Sequence, residues 1–348
     1  MLSHRERILG LLRKKEKEGI PCFSGMGNVI TEVMKANGIR FAEAHTDPQK
    51  MATLAGSMYK LYDYECAVVP FDLGIEAEVL GCPMNFYTGV ETDDILYPTI
   101  KDKIAESAKD IKIPENPEEK GRVPVVTEAI RLLRRDVGDK VAIGTYLLGP
   151  FTLAGQVMEL DHLLKKSFKD PGEVEAVLEV LSQLIITLGK IYKQAGADYI
   201  TLREMGACTD VMNPRMFKTL VQPHLIRILK GLEPPRILHI CGGTNQIIKS
   251  MEECGAEALS VDHKNDLRQS RQELKPETLL FGNLDTYTNL VQGTPVEVEE
   301  AVKECLEAGV DAIWPGCDIW PTATPENIQA MIRTTREFIP DPERTNLG

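Results

Sequence analysis

The chain has 348 residues, 43% of them hydrophobic, and a formal net charge of −12, enough to bury one barrel-sized core or two ordinary ones. The acidic balance argues against nucleic-acid or anionic-membrane partners, which are ordinarily met by a basic face, and no apolar stretch is long enough to span a bilayer. The N-terminus Leu2-Ser3-His4-Arg5-Glu6-Arg7-Ile8-Leu9 is charged and amphipathic, without the apolar run of a signal peptide. A cytoplasmic protein is therefore expected, its eight cysteines held as thiols and not as a disulfide framework.

In chain order, an N-terminal helical segment is followed by short apolar, β-branched runs that alternate with segments of helical period. Strands are expected at Ile20 to Ser24, Ala67 to Asp72, Val141 to Tyr146, Tyr199 to Arg203, Ile237 to Cys241, Ala258 to Asp262, Thr278 to Gly282 and Ala312 to Pro315. Asp47-Pro48 opens a helix that runs to about Tyr62, and Pro171-Gly172-Glu173-Val174 opens a long one through Tyr192. Gly196-Ala197-Asp198, Gly255-Ala256-Glu257 and Gly309-Val310-Asp311 are repeated joints, each a helix-ending glycine and a short loop into the next strand. The stretch from Phe86 to Lys140 exceeds a usual crossover, carries Pro, Asp and Glu clusters and includes an expected helix from Val125 to Arg135, so it reads as an insertion or lid-bearing connection. Eight strands alternating with helices predict a single-domain (β/α)₈ TIM barrel over residues 1–348.

In such a barrel the chemistry lies where the strands end and the βα loops converge. The polar residues expected there are Asp72, Tyr146, Arg203, Glu204, His239, Cys241, Asp262, His263, Asn283, Asp285 and Cys317. The sharpest group is His239-Ile240-Cys241, with Cys317 far downstream in Trp314-Pro315-Gly316-Cys317-Asp318. Strand side chains alternate faces, so His239 and Cys241 point the same way. One imidazole and two thiols suit zinc and leave a fourth tetrahedral position open, the pattern of catalytic and not structural zinc. The spacing matches no zinc finger or ribbon, and buried Cys and His are common in cores, so packing is the competing account.

The chain resembles the uroporphyrinogen decarboxylase superfamily over nearly its whole length. The resemblance rests on Val69-Pro70-Phe71-Asp72-Leu73-Gly74-Ile75-Glu76-Ala77-Glu78, on Leu148-Gly149-Pro150-Phe151-Thr152-Leu153-Ala154 and on Pro223-His224-Leu225. Within it, His239-x-Cys241 and Gly316-Cys317 leading into Thr324-Pro325-Glu326-Asn327-Ile328 are similar to the zinc motif of the methylcobamide:coenzyme M methyltransferases. Decarboxylases of the superfamily carry an arginine-rich motif after the first strand that grips the porphyrinogen carboxylates; this chain has Pro21-Cys22-Phe23-Ser24-Gly25-Met26-Gly27-Asn28 there. That departure speaks against porphyrinogen decarboxylation despite the retained Asp72.

The resemblance implies a methyltransferase that binds a small thiol as thiolate on zinc and transfers to it the methyl group of a methylated corrinoid, or methylcobamide, carried by a separate corrinoid protein. His239, Cys241 and Cys317 are then the metal ligands. Asp262, Asp72 and Tyr146 are the catalytic candidates, with Asp262 able to fill the fourth metal position until the thiol arrives. Asn283 and Glu204 are the candidates for cofactor contact. Asp161-His162-Leu163-Leu164 has the wrong order for a corrinoid-binding motif, and little chain follows the eighth unit, so the donor is expected on a partner. Two alternatives stay open: a corrinoid:tetrahydrofolate methyltransferase, whose nitrogen nucleophile needs no thiolate-making zinc, and a non-catalytic barrel that binds a corrinoid or another tetrapyrrole.

Overall fold

Seven of the eight expected strands form one curled parallel sheet in the computed structural model, which describes residues 2–14, 19–90, 92 and 94–338. The strands in chain order are β1 (Cys66–Val68), β2 (Met84–Asn85), β3 (Thr99–Ile100), β4 (Ala142–Leu148), β5 (Tyr199–Arg203), β6 (Arg236–Ile240), β7 (Ala258–Val261), β8 (Leu279–Leu284) and β9 (Ala312–Pro315). The sheet order is β1-β4-β5-β6-β7-β8-β9, while β2 and β3 form a separate antiparallel pair. Strictly sequential parallel neighbours with helical crossovers are the (β/α)₈ arrangement. No helix among the described residues is long and apolar enough to cross a membrane.

The expected first strand, Ile20 to Ser24, is reduced to a single parallel bridge between Cys22 and Ile313. Two backbone bonds make it, Phe23 N to Ile313 O at 3.2 Å and Ile313 N to Pro21 O at 3.0 Å. Pro21 has no N–H to extend the ladder, and Gly25 and Gly27 follow at once. On its other side the barrel is closed by side chains: the Ser24 amide donates to Cys66 Sγ at 3.2 Å, Cys66 Sγ donates to Ser24 O at 3.3 Å, and the Cys22 amide donates to Glu65 Oε2 at 3.3 Å. Asp72 likewise lies past β1, in the loop that follows it.

A helix follows each strand position. Helix Pro48–Tyr62 starts on Asp47, whose carboxylate accepts from the Gln49 and Lys50 amides, and Pro171–Ala195 starts on proline and ends on Gly196 at φ 115°. The longer helix buries Val174, Val177, Leu178, Leu181, Ile185 and Leu188, a three-and-four-residue stripe against the sheet. Helix Val123–Asp136, expected from Val125 to Arg135, packs against Pro48–Tyr62 and Pro171–Ala195. It is therefore the ordinary crossover helix after β1, and the added material is confined to residues 83–122, which hold the β2–β3 pair.

Glu65, fully buried, gathers the closure of the barrel. Besides the Cys22 amide it pairs with Arg7 of helix His4–Leu12 and with Arg336 Nε of helix Pro325–Glu337 at 3.2 Å. Removing one partner of a buried ion network leaves the other charges uncompensated, at a cost of about 3–5 kcal/mol. Glu65→Ala is accordingly expected to lower the unfolding free energy by that margin, read as a lower urea midpoint with the slope unchanged; a loss under about 1 kcal/mol would mean that the barrel closes without this carboxylate.

Candidate metal centre and barrel mouth

β6 carries His239 into the barrel and ends just before Cys241, so the two side chains share a face, as strand alternation requires. Cys317 arrives from the loop after β9, whose first residue, Gly316, runs so close to its neighbours that a Cβ would stand 2.8 Å from the His263 amide and 3.0 Å from Leu284 O. Glycine there lets the chain turn inward. His239 Nε2 faces Cys241 Sγ at 2.9 Å, and Cys241 Sγ faces Cys317 Sγ at 3.4 Å. The structure thus brings together the three residues singled out for metal binding.

On its other side, His239 Nδ1 meets the buried Ser260 Oγ at 2.9 Å, across the in-register pair of β6 and β7. The hydroxyl fixes the ring, and when it accepts from Nδ1–H the Nε2 lone pair faces the thiols, the usual support of a ligating histidine. The hydrogen bond from Cys241 holds the Cys317 thiol well below its ordinary range, with His239 adding to it against burial, while Cys241 keeps the shared proton and is pushed up. Two thiols so close cannot both ionise unless a cation joins them.

Among the described residues no group of three or more His, Cys, Asp or Glu side chains is arranged to hold a metal ion as it stands. The trio is drawn in too far: the 2.9 and 3.4 Å separations are shorter than the edges of about 3.6 Å and about 3.8 Å that zinc bond lengths imply for a tetrahedron. Its donor set nevertheless fits a soft divalent ion, which would displace the shared proton and spread the three groups by a fraction of an ångström.

A carboxylate not singled out from the sequence, Asp318, lies beside this trio. Asp318 Oδ2 lies 4.0 Å from Cys317 Sγ, and both its oxygens are held: Arg203 Nη1 and Nη2 donate at 3.0 and 2.6 Å, and the Gly27 amide donates at 2.6 Å. Arg203 is fully buried and stacks on the Tyr146 ring, 4.8 Å from its centroid. Asp262 Oδ1 instead accepts from the Lys264 amide at 2.9 Å and faces His263 Nδ1 at 3.1 Å, with His263 Nε2 3.6 Å from Asp285. The adjacency of Asp318 to Cys317 and the register of Ser260 with His239 were the signals in the sequence for these two unassigned residues.

The remaining candidates serve the walls. Asp72 forms a two-pronged pair with Arg122 at 2.7 and 3.0 Å and meets His45 Nδ1 at 3.1 Å. Burial would raise its carboxyl, but the bonds from His45 and Arg122 outweigh this and hold it well below the usual range, so it stands as a fixed anion. Tyr146 donates its hydroxyl to Asp72 O at 3.0 Å. Glu204 accepts from the Phe151 and Thr152 amides at 2.8 Å each and from the Thr152 hydroxyl, which makes it the cap of helix Pro150–Val157. Asn283 Nδ2 donates to Asp262 O at 2.9 Å and Asn265 O at 3.0 Å, bracing the turn after β7. A cleft of about 590 Å³ lined by Met34, Ile39, Phe41 and Ile95 contains none of these residues, so donor chemistry and not volume locates the site.

The model of the uroporphyrinogen decarboxylase (URO-D) family matches residues 3–338. The chain belongs to that family. It is 31% identical over 338 residues to the methylcobamide:CoM methyltransferase MtaA of Methanosarcina barkeri, covering 96% of this chain and 98% of the relative. It is 30% identical over 339 residues to MtbA of Methanosarcina acetivorans, with the same coverage. Among solved structures, a methyltransferase from Methanosarcina mazei superposes with a TM-score of 0.91 at 29% identity, over 97% of this chain and 99% of that one. Within the family, the resemblance is therefore to the methylcobamide:CoM methyltransferase branch.

Beneath the mouth lies Glu76, buried and bonded through Oε1 to the Leu148 amide at 2.9 Å. Burial pushes its carboxyl from 4.5 up to about 7. A raised carboxyl favours the folded state while protonated, so this contribution is complete below about pH 4.5 and is lost as pH rises to about 7. Glu76→Gln keeps the oxygen for Leu148 and removes the charge. Its urea-unfolding stability relative to the native chain is expected to improve by on the order of 2 kcal/mol between about pH 5 and pH 8; a difference that stays constant across that range would exclude ionisation of Glu76.

Proposed function

We propose that this chain is a zinc-dependent methyltransferase that moves a methyl group from a methylated corrinoid, carried on a partner corrinoid protein, to a small thiol such as coenzyme M. The observation that carries the reading is the convergence of His239 Nε2, Cys241 Sγ and Cys317 Sγ at the barrel mouth, with Ser260 orienting the imidazole. The likeness to the two Methanosarcina enzymes supports it.

His239, Cys241 and Cys317 would hold the zinc ion. When bound, zinc supplies a cation that stabilises the substrate thiol as its thiolate at neutral pH, where a free thiol is mostly protonated. As ligands, two cysteine thiolates and a neutral imidazole would balance the charge of a divalent ion, so that a substrate thiolate there would stay electron-rich. Ser260 keeps His239 in the tautomer that offers Nε2. Arg203 neutralises Asp318, which would otherwise repel an incoming anion 4.0 Å from Cys317. The substrate sulfur attacks the methyl carbon, an S–C bond forms, and the electron pair of the Co–C bond remains on cobalt.

Incubated with methylcobalamin and coenzyme M, the protein is expected to yield the methyl thioether and cob(I)alamin in equal amounts, faster with a methylated corrinoid protein than with the free cofactor. His239→Ala, Cys241→Ala and Cys317→Ala should each lose zinc and activity with the far-UV circular dichroism unchanged, and Ser260→Ala should weaken zinc binding about 10–100-fold. Uroporphyrinogen should remain undecarboxylated, because the loop from Pro21 to Asn28 has no arginine and both Arg122 and Arg203 are already paired with carboxylates. Full zinc occupancy in Cys317→Ala would remove that ligand, and zinc-independent methylation of tetrahydrofolate with no thiol product would replace the thiolate mechanism.

A further inference from the structure

The chain has two tryptophans, and they are treated oppositely. Trp314 is fully buried, stacked on Phe281 at 5.3 Å and edge-on to Phe23 at 4.8 Å inside the barrel. Trp320, three residues beyond Cys317, is 52% exposed, and beside it stands Tyr287, 45% exposed, with ring centroids 5.3 Å apart. Tyr287 lies in the loop after β8 and Trp320 in the loop after β9, so the pair forms one rim of the mouth next to the thiol trio.

These exposed rings stand on fixed backbone. On either side of Trp320, the Ile319 amide donates to Gly27 O at 2.8 Å and Pro321 O accepts from the Thr31 amide and hydroxyl at 2.7 Å each. The Tyr287 and Thr288 amides donate to Asp285 Oδ1 at 2.9 Å each. The buried Asn327 side chain ties the two loops together, its Nδ2 donating to Asn289 O, Leu290 O and Gly293 O at 3.2, 3.2 and 2.8 Å. The two ring planes are inclined at 59°, so aromatic surface left in water on a braced frame offers one ring face and the edge of the other to an apolar partner, and it forgoes the gain of burial in the free protein.

We propose that Tyr287 and Trp320 form the platform on which the corrin macrocycle of the methyl donor lies, a proposal that rests on the reading given under Proposed function. The charges agree with this occupant. The core of a methylcobalt(III) corrin carries one net positive charge, and the rim beside the platform presents Asp285, with His263 between it and the buried Asp262. The π-faces of tyrosine and tryptophan favour a cation as well. After transfer the electron pair of the broken Co–C bond leaves a cobalt(I) core with no net charge, so the platform holds the substrate form more tightly than the product form.

The probe is free methylcobalamin, which separates the macrocycle from any protein that carries it. Titrated into the protein, it should quench the exposed Trp320 emission saturably, and Tyr287→Ala should weaken that binding. In transfer to a thiol, the double change Tyr287→Ala with Trp320→Ala should raise KM for methylcobalamin about tenfold or more, leave KM for the thiol and the zinc content unmoved, and be largely rescued when position 320 is Trp320→Phe. An unchanged KM for methylcobalamin in the double variant, or quenching no greater than the inner-filter effect, overturns the platform even where transfer proceeds. Saturable, Tyr287-dependent binding without transfer to any thiol sustains the platform and overturns the catalytic reading instead.

Discussion

The ion pair between Arg203 and Asp318 sets where everything else at the mouth stands. Arg203 rises from the end of β5 inside the barrel, and its planar fork takes both oxygens of the residue next to Cys317. Asp318 also receives the Gly27 amide, so the loop after the first strand position is held by the same carboxylate. Behind the guanidinium, Tyr146 stacks on it and bonds to the Asp72 backbone, which reaches Arg122 and His45. A guanidinium buried to this degree is tolerable only with its carboxylate in place. Through that requirement the position of the Cys317 thiol is tied to strands β4 and β5 and to the loops that hold Gly27 and Asp72.

The barrel and the trio were legible in the sequence because both follow from simple periodicities. Strands of alternating face put His239 beside Cys241, and repeated glycine joints announced the αβ units. The other candidates share a weaker signal, a polar residue at the end of a strand, and that signal does not say which way the side chain turns. Local backbone demand decided it. The unpaired amides at the start of helix Pro150–Val157 drew in Glu204, and carbonyls of the turn after β7 drew in Asn283. Asp318 was hidden by its neighbour: its importance depends on Arg203, which is 115 residues away in sequence and comes near only when the barrel closes.

The same fold in its decarboxylating form needs free guanidinium groups to meet a polyanionic substrate. In this chain the two arginines of the mouth are answered from within, Arg122 by Asp72 and Glu78 and Arg203 by Asp318. What remains open to a ligand is a pair of soft sulfur atoms, one oriented imidazole and a rim that mixes carboxylates with aromatic rings. Such a lining leaves no unpaired guanidinium at these two positions for a carboxylate-rich partner, and it does so through the pairing of charges and not through a change of fold.

The side-chain seam between the first strand position and β1 gives the ring an uneven stiffness. Around most of its circumference the barrel is a continuous ladder, and sliding one strand past another would break several backbone bonds together. At the seam the joint is a thiol, a serine and one carboxylate, groups that can lengthen or swivel while staying bonded. The segment after that joint carries Gly27, which holds Asp318. The joint of the ring that rests on side chains is thus the one that leads, through Gly27, to the carboxylate beside Cys317.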